Sequence, residues 1–439
     1  MDRTPERSQA AGRHRELPPG LGDILPEAAA GLFSLRERLL GVLAAWGYRP
    51  LLPPLLEYAD VFARALADPA EEVSFHKLLD RATGHILAIR PDFTPQVARA
   101  AATRFTDAAL PLRLCYEGPV VRHVPAQRGR SRQLHQVGAE LLGVVDPEAD
   151  AETIALVIEC LRAAGLSEFK VDVGQVEFFK GILGGAELPA ETGERLKDCV
   201  ARKDVSELGR LLEGVRLSDA KKRLLAELPL LAGGVEVLER ASALVESDHS
   251  RSALENLAKV VHFVERYGLA DALTVDLGEL RGVDYHTGVI YEAFVHHLGS
   301  PLCKGGRYDG LVAGFGTDLP ATGFSLDLAT VMEAQRIEGT REGASRAEGA
   351  LIVALEPDRS GAVALARRLR GAGVRAAREL VDRPLDDSLV HAREQGFRWM
   401  VALGTEGNGG GGALIVHVVT GERETAPVEG IVRRLAGEE

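Results

Sequence analysis

Apolar residues recur at helical spacing from Glu27 to Trp46, with Leu32, Leu35, Leu39 and Leu40 on one stripe, and predict a first long helix. Gly47–Glu57 reads as extended, because Pro53 and Pro54 block a helix. HILAIR (His85–Arg90) is a short apolar strand that runs into Thr94–Pro95, an N-cap and first-turn pair. Leu112, Leu114, Val120 and Val121 flank an expected turn at Glu117–Pro119 and read as strand. A helix over about 150–164 and an alternating strand at 169–176 follow.

From 177 to 267 the pattern is Leu-rich and helical, and strand patterning returns at 273–280, 286–298, 301–310 and 321–328. This predicts a strand-rich domain over 17–334 interrupted by a helical insertion at about 177–267. A charged, glycine-containing stretch at 335–348 reads as a linker. Beyond it, 349–439 alternates strand and helix, which predicts a separate α/β unit. Within it, TEGNGGGGA (405–413) lacks the Lys-Ser/Thr of a phosphate loop and reads as a flexible hairpin turn. Residues 1–16 read as a disordered tail.

Composition narrows the class. The chain has 439 residues and a formal charge of −12, an acidic balance that disfavours nonspecific binding to nucleic acid or anionic membrane as the main role. Four cysteines without CxxC spacing argue against a disulfide framework or zinc cluster and fit a reducing cytoplasm. No apolar run reaches the ~18 residues of a membrane span, and the N-terminal segment lacks the apolar core of a signal peptide. The expectation is a cytoplasmic protein of two or three domains.

Three segments carry chemistry. Pro119–Gln136 holds Arg122, Arg128, Arg130 and Arg132, and no acid lies between Glu117 and Glu140. In an acidic protein this island is either an anion site or a solvated loop, since arginine forks match phosphate or carboxylate. Ile89–Gln96 sets Asp92 and Thr94 at a strand end, where they suit either a ligand ammonium or a helix cap. Glu279–Glu292 gathers Arg281, Asp284, Tyr285, His286 and Thr287, and Lys304–Leu311 adds Arg307, Tyr308 and Asp309. Two such polar and aromatic clusters between apolar strands predict a pocket for a small polar ligand. No metal site is expected: His296 and His297 read as neighbours on one strand, pointing to opposite faces. No Ser or Cys nucleophile with a His–acid pair stands out.

Taken together, LPPGLGDILP, IRPDFTP, RGRSRQLHQVGAELLG, LRGVDYHTG and GGRYDGL resemble, in order, the catalytic core of class II aminoacyl-tRNA synthetases, specifically the histidyl enzymes. The resemblance implies an α+β fold, an antiparallel sheet flanked by helices with a helical insertion, usually dimeric. It also implies a pocket for free histidine made by Asp92, Thr94, Gln136, Glu140, Arg281, Tyr285, His286 and Tyr308. Arg281 would meet the carboxylate, and Asp92 and Glu140 an ammonium and an imidazole N–H. The synthetases carry Glu at the position of Asp92 and a second Tyr at that of His286.

The ATP motifs depart further. Arg122 stands at the position of the motif 2 arginine, but Val124 replaces the glutamate that reads adenine, and Thr330 stands where motif 3 ends in arginine. Losing that arginine removes charged hydrogen bonds to nucleotide and makes aminoacylation improbable. A synthetase-like core with a histidine pocket and lost ATP motifs resembles the regulatory-subunit family of ATP phosphoribosyltransferase. That family implies a noncatalytic chain without cofactor, a short catalytic subunit as partner, L-histidine as effector and a homodimer within a hetero-oligomer. The C-terminal unit resembles an anticodon-binding domain but contains no lysine, and its arginines are roughly matched by acids, so tRNA is an unlikely partner. An active histidyl-tRNA synthetase with unusual ATP contacts and a stand-alone histidine sensor or tRNA-binding module remain alternatives.

Overall fold

The computed structural model describes residues 17–65, 75–123, 131–186, 188–280, 286–340, 348–404 and 412–437. The chain divides into two compact units, the larger of residues up to 25 and 32–341, the smaller of residues 342 onward together with 26–31, the start of a helix that otherwise lies in the larger unit.

The larger unit opens with α1 (Pro26–Ala45), β1 (Arg49–Pro50), β2 (Leu56–Tyr58), α2 (Ala59–Ala63), β3 (Lys77–Leu79), β4 (Ile86–Ile89) and α3 (Thr94–Arg104). A long hairpin of β5 (Leu112–Val121) and β6 (Gln133–Leu142) follows, then α4 (Pro147–Ala163) and β7 (Phe169–Gln175). The stretch expected as an insertion holds α5 (Val176–Leu183), α6 (Ala190–Ala201), α7 (Val205–Gly214), α8 (Asp219–Glu227), the two-residue β8 (Ala232–Gly233), α9 (Glu236–Leu244) and α10 (Asp248–Arg266). The chain then returns as β9 (Leu273–Asp276), β10 (Val289–Val295), β11 (Cys303–Arg307), α11 (Asp309–Ala313), β12 (Ala321–Asp327) and α12 (Leu328–Glu338).

Nine strands form one sheet in the order β1-β5-β6-β12-β11-β10-β7-β9-β8. Pairing is antiparallel except for β1 with β5 and β7 with β9. One face packs against helices in a single apolar core. Leu35, Leu39 and Leu43 of α1, Ile154, Val157 and Leu161 of α4 and Leu257 and Val261 of α10 meet Val137, Ala139, Val171 and Leu326 there. Leu43 completes the α1 stripe, while Leu40 is only partly buried. Complete burial of each Leu is worth about 1.5–3 kcal/mol, so this face anchors the sheet whose other face carries the polar chemistry.

Several local expectations are corrected. The turn expected at Glu117–Pro119 lies inside the unbroken strand β5. Gly118, at φ +142°, permits this: a Cβ there would meet Arg90 Nη2 at 3.2 Å and the Phe93 ring at 3.4 Å. His296 and His297 lie beyond β10, not on it; His297 has φ +73°, and the two rings sit 4.0 Å apart. Residues 335–338, expected in a linker, finish α12, where buried Gln335 donates from Nε2 to the Ala164 carbonyl at 2.6 Å.

The smaller unit comprises β13 (Ala350–Ala354), α13 (Ser360–Gly371), β14 (Ala376–Arg378), α14 (Leu385–Glu394), β15 (Trp399–Leu403), β16 (Gly412–His417), β17 (Arg423–Pro427) and α15 (Val428–Ala436). Its sheet has the order β14-β13-β15-β16-β17, parallel over the first three strands. Leu365 and Leu369 of α13 and Ile431 of α15 pack on one face, and Ala392 of α14 on the other. Strands β15 and β16 pair antiparallel across the glycine-rich segment, whose residues 405–411 lie outside the described residues.

Candidate functional site

Alternation along β6 puts Gln136, Gly138 and Glu140 on the sheet face opposite the apolar core. Cross-strand register extends that face into one row of Leu114, Glu140, Gly323 and Gly306 and a second of Tyr116, Gly138, Ser325 and Lys304. Glu140 lies at its centre, fully buried. Its Oε1 accepts from Thr94 Oγ1 at 2.7 Å and Tyr116 OH at 3.1 Å, and its Oε2 accepts from Tyr308 OH at 2.6 Å. A carboxylate offers about four lone-pair positions, so the three hydroxyls that donate among the described residues leave room on the ionised form for one more N–H donor.

Gly323 makes this geometry possible. A Cβ at that position would fall 1.6 Å from Glu140 Oε2, so only glycine lets the carboxyl lie flat on the neighbouring strand. One strand further, the His286 ring covers Gly306 in the same way, with Cδ2 2.7 Å from an added Cβ.

Thr94 departs from its expected role. Helix α3 has Phe93 as N-cap and no side-chain cap, and the Thr94 hydroxyl is spent on Glu140. Asp92 holds its own turn, accepting from the Phe93 N–H at 2.7 Å. Phe93 stacks on Tyr116 at 4.4 Å, and the Arg90 guanidinium covers the other side of Phe93 at 3.7 Å. Arg90 also donates to the carbonyls of Pro119 and Pro53. Burial pulls the Arg90 pKa down to about 10, while Glu117 and Asp92 oppose the shift. Sequence reasoning missed Arg90, Phe93 and Tyr116. The signal available was the alternation of β5, which puts Tyr116 in phase with Gly118 and Leu114.

Burial also dominates at Glu140. It pushes the carboxyl up to about 8 against the pull of three hydroxyl donors, and Asp92 adds to the rise. Without a ligand the group holds a proton at neutral pH, and a cationic N–H donor would favour its ionised form. Gln136, 4% exposed, lies two pairs along the same face; its Nε2 donates to Ser325 Oγ at 3.4 Å, while its buried Oε1 has no partner among the described residues.

Arg307, from the second polar cluster, turns to the helix-packed face. It binds buried Asp150 at 2.9 Å and donates to Asp309 and the Val144 carbonyl. Thr287 joins the two clusters, donating its N–H to the Arg307 carbonyl and accepting from the Asp309 N–H at 2.9 Å.

At the far end of the hairpin, the Arg122 N–H donates to the Arg132 carbonyl, so two arginines stand opposite each other. Arg122 Nε donates to the Pro91 carbonyl at 2.9 Å, and Arg132 Nη2 donates to His76 Nε2 at 2.8 Å. Burial, then Arg132 and His123, hold the His76 imidazole below its usual range, in keeping with an acceptor. Thr330 has a local job: its N–H and hydroxyl both donate to Asp327 Oδ1, capping α12. Arg281, Tyr285, Val124, Arg128 and Arg130 lie outside the described residues. Among the described residues no His, Cys, Asp or Glu group of three or more converges as metal ligands, and no helix is long and apolar enough to cross a membrane.

Comparison with known proteins agrees with this architecture. Residues 20–331 match the family model for histidyl-tRNA synthetase. The chain is 43% identical to the ATP phosphoribosyltransferase regulatory subunit of Syntrophotalea carbinolica, covering 96% of this chain and 97% of that one. It is 40% identical to the protein of the same name from Geobacter sulfurreducens, over 92% of both. A crystal structure from Bacillus halodurans, described as an ATP phosphoribosyltransferase regulatory subunit/histidyl-tRNA synthetase, superimposes with a TM-score of 0.77 at 30% identity, covering 88% of this chain and 97% of that one. The chain therefore belongs to the ATP phosphoribosyltransferase regulatory-subunit family, built on the class II core of histidyl-tRNA synthetase.

Proposed function

We propose that this chain is the noncatalytic regulatory subunit of an ATP phosphoribosyltransferase in the cytoplasm. It activates a short catalytic subunit and confers feedback inhibition by histidine on the first step of L-histidine biosynthesis. The observation that carries the reading is Glu140, a buried carboxyl held by Thr94, Tyr116 and Tyr308, with one acceptor position left among the described residues. That position suits an imidazole N–H. Asp92, with Thr94 and Gln136 beside it, receives the ammonium, Arg281 the carboxylate, and Tyr285, His286 and Tyr308 close around the ring. Arg122, with Arg128 and Arg130, is a candidate anion site. The Thr330 hydroxyl is spent on Asp327, the N-cap of α12, which supports the loss of a nucleotide-facing role at this position.

Regulation follows by linkage: histidine favours one conformation of this homodimeric chain, and the catalytic partner is sensitive to which is populated. The test is a phosphoribosyltransferase assay of the short catalytic subunit with and without this chain, and with histidine added. Activity that depends on the chain and falls with histidine is expected. A catalytic subunit indifferent to the chain would overturn the reading. The match to the synthetase model favours a second reading, an active histidyl-tRNA synthetase, which requires histidine-dependent exchange of pyrophosphate into ATP by the purified chain.

A further inference from the structure

The helical insertion grips both ends of the segment that follows β9. Upstream, β8 of the insertion pairs with β9 through Ala232–Asp276 and Gly233–Val275, and the Leu277 N–H donates to the Leu231 carbonyl at 3.0 Å. Lys203, in the turn between α6 and α7, reaches buried Asp276 at 2.7 Å. Its φ of +56° is a left-handed conformation that costs a lysine about 1–3 kcal/mol, and the ion pair helps to hold it. The other oxygen of Asp276 accepts from the Gly278 N–H at 2.9 Å, so one carboxylate joins the insertion to the turn leaving β9.

Downstream, Lys180 of α5 donates to the His286 carbonyl at 3.5 Å, and the Val176 N–H donates to the Gly288 carbonyl at 3.0 Å. Glu177 accepts from Lys180 at 2.8 Å and meets His249, in the first turn of α10, at 2.8 Å. The His286 ring itself covers Gly306 of β11, which pairs with Gly323 of β12, and Gly323 pairs in turn with Glu140 of β6. The insertion thus holds the chain on both sides of that segment, at 276–278 and at 286–288.

We propose that the insertion is the element that senses pocket occupancy, with Lys203 and Lys180 as positioning residues that couple a ligand beside Glu140 and His286 to the helices α5–α10. The inference rests on the histidine-binding reading. Because linkage is reciprocal, loosening the insertion weakens the ligand and binding the ligand tightens the insertion.

The test combines calorimetry with L-histidine and amide hydrogen exchange on the full chain. In the parent protein, histidine slows exchange in 200–204 and 228–233, remote from the bound amino acid. Lys203→Met weakens histidine binding about tenfold, within the usual range for coupled sites, and abolishes the histidine-induced protection. Lys203→Arg, which retains the charge, restores both. Histidine binding with unchanged exchange across the insertion, or a Lys203→Met variant that binds and protects like the parent, overturns the coupling while leaving the proposed function intact. No histidine binding by the parent overturns both.

Discussion

At the residue scale, Glu140 shows how neighbours set the chemistry of one carboxyl. Burial raises its pKa to about 8, so between its unfolded value near 4.5 and about 8 the folded state binds a proton that the unfolded state lacks. Stability therefore falls as pH rises through that window, by up to about 1.4 kcal/mol per unit, and levels off above it. Glu140→Gln, which mimics the protonated form, should remove the slope. In urea unfolding without ligand, its advantage over the parent should grow from pH 5 to pH 8; a constant difference would rule out a buried titrating carboxyl. The same substitution should cost histidine binding at least tenfold, because an amide cannot become an anion when the ligand arrives.

At the element scale, the end of β11 directs neighbouring residues to opposite tasks. Arg307 and Tyr308 are adjacent, yet Arg307 faces α4 and Asp150 while Tyr308 faces Glu140. The two belong to one motif because the last residue of β11 pins the back of the sheet and the residue after it furnishes the front. Burial pushes the Asp150 carboxyl up, although Arg307 pulls it down. Removing only one partner of such a pair costs about 3–5 kcal/mol. Arg307→Met should therefore destabilise the chain by that amount in equilibrium denaturation, and adding Asp150→Asn should recover part of it. A loss below 1 kcal/mol would show that the pair is not anchoring the sheet.

At the scale of the whole molecule, charge bears on whether this chain handles tRNA. The net charge is −12, and the stretch from 349 onward has no lysine. Its sheet has α13 and α15 on one face and α14 on the other, so this fold is built without a single lysine to neutralise phosphates. Filter binding with tRNA at physiological salt should give affinity no tighter than the nonspecific range of about 10⁻⁴–10⁻⁶ M. Saturable binding well below that range would favour the synthetase reading.

The order of strands and helices, the break in pattern near 340 and the residue types of the pocket are all readable along the chain. Hydrophobic periodicity and the chemistry of Arg, Asp, Glu and Tyr are local properties. What each polar group does is decided by partners distant in sequence. Thr94 reads as a helix cap from its neighbours alone, and becomes a ligand of Glu140, 46 residues away, because β6 brings that carboxyl beneath it. Tyr116 gains its role through Gly138 and Gly323, whose missing side chains leave room that no local pattern reveals. Arg307 is indistinguishable by spacing from a pocket arginine until α4 sets Asp150 against it, 157 residues away. The balance between desolvation and pairing that separates a structural charge from a functional one exists only after the sheet has chosen its two faces.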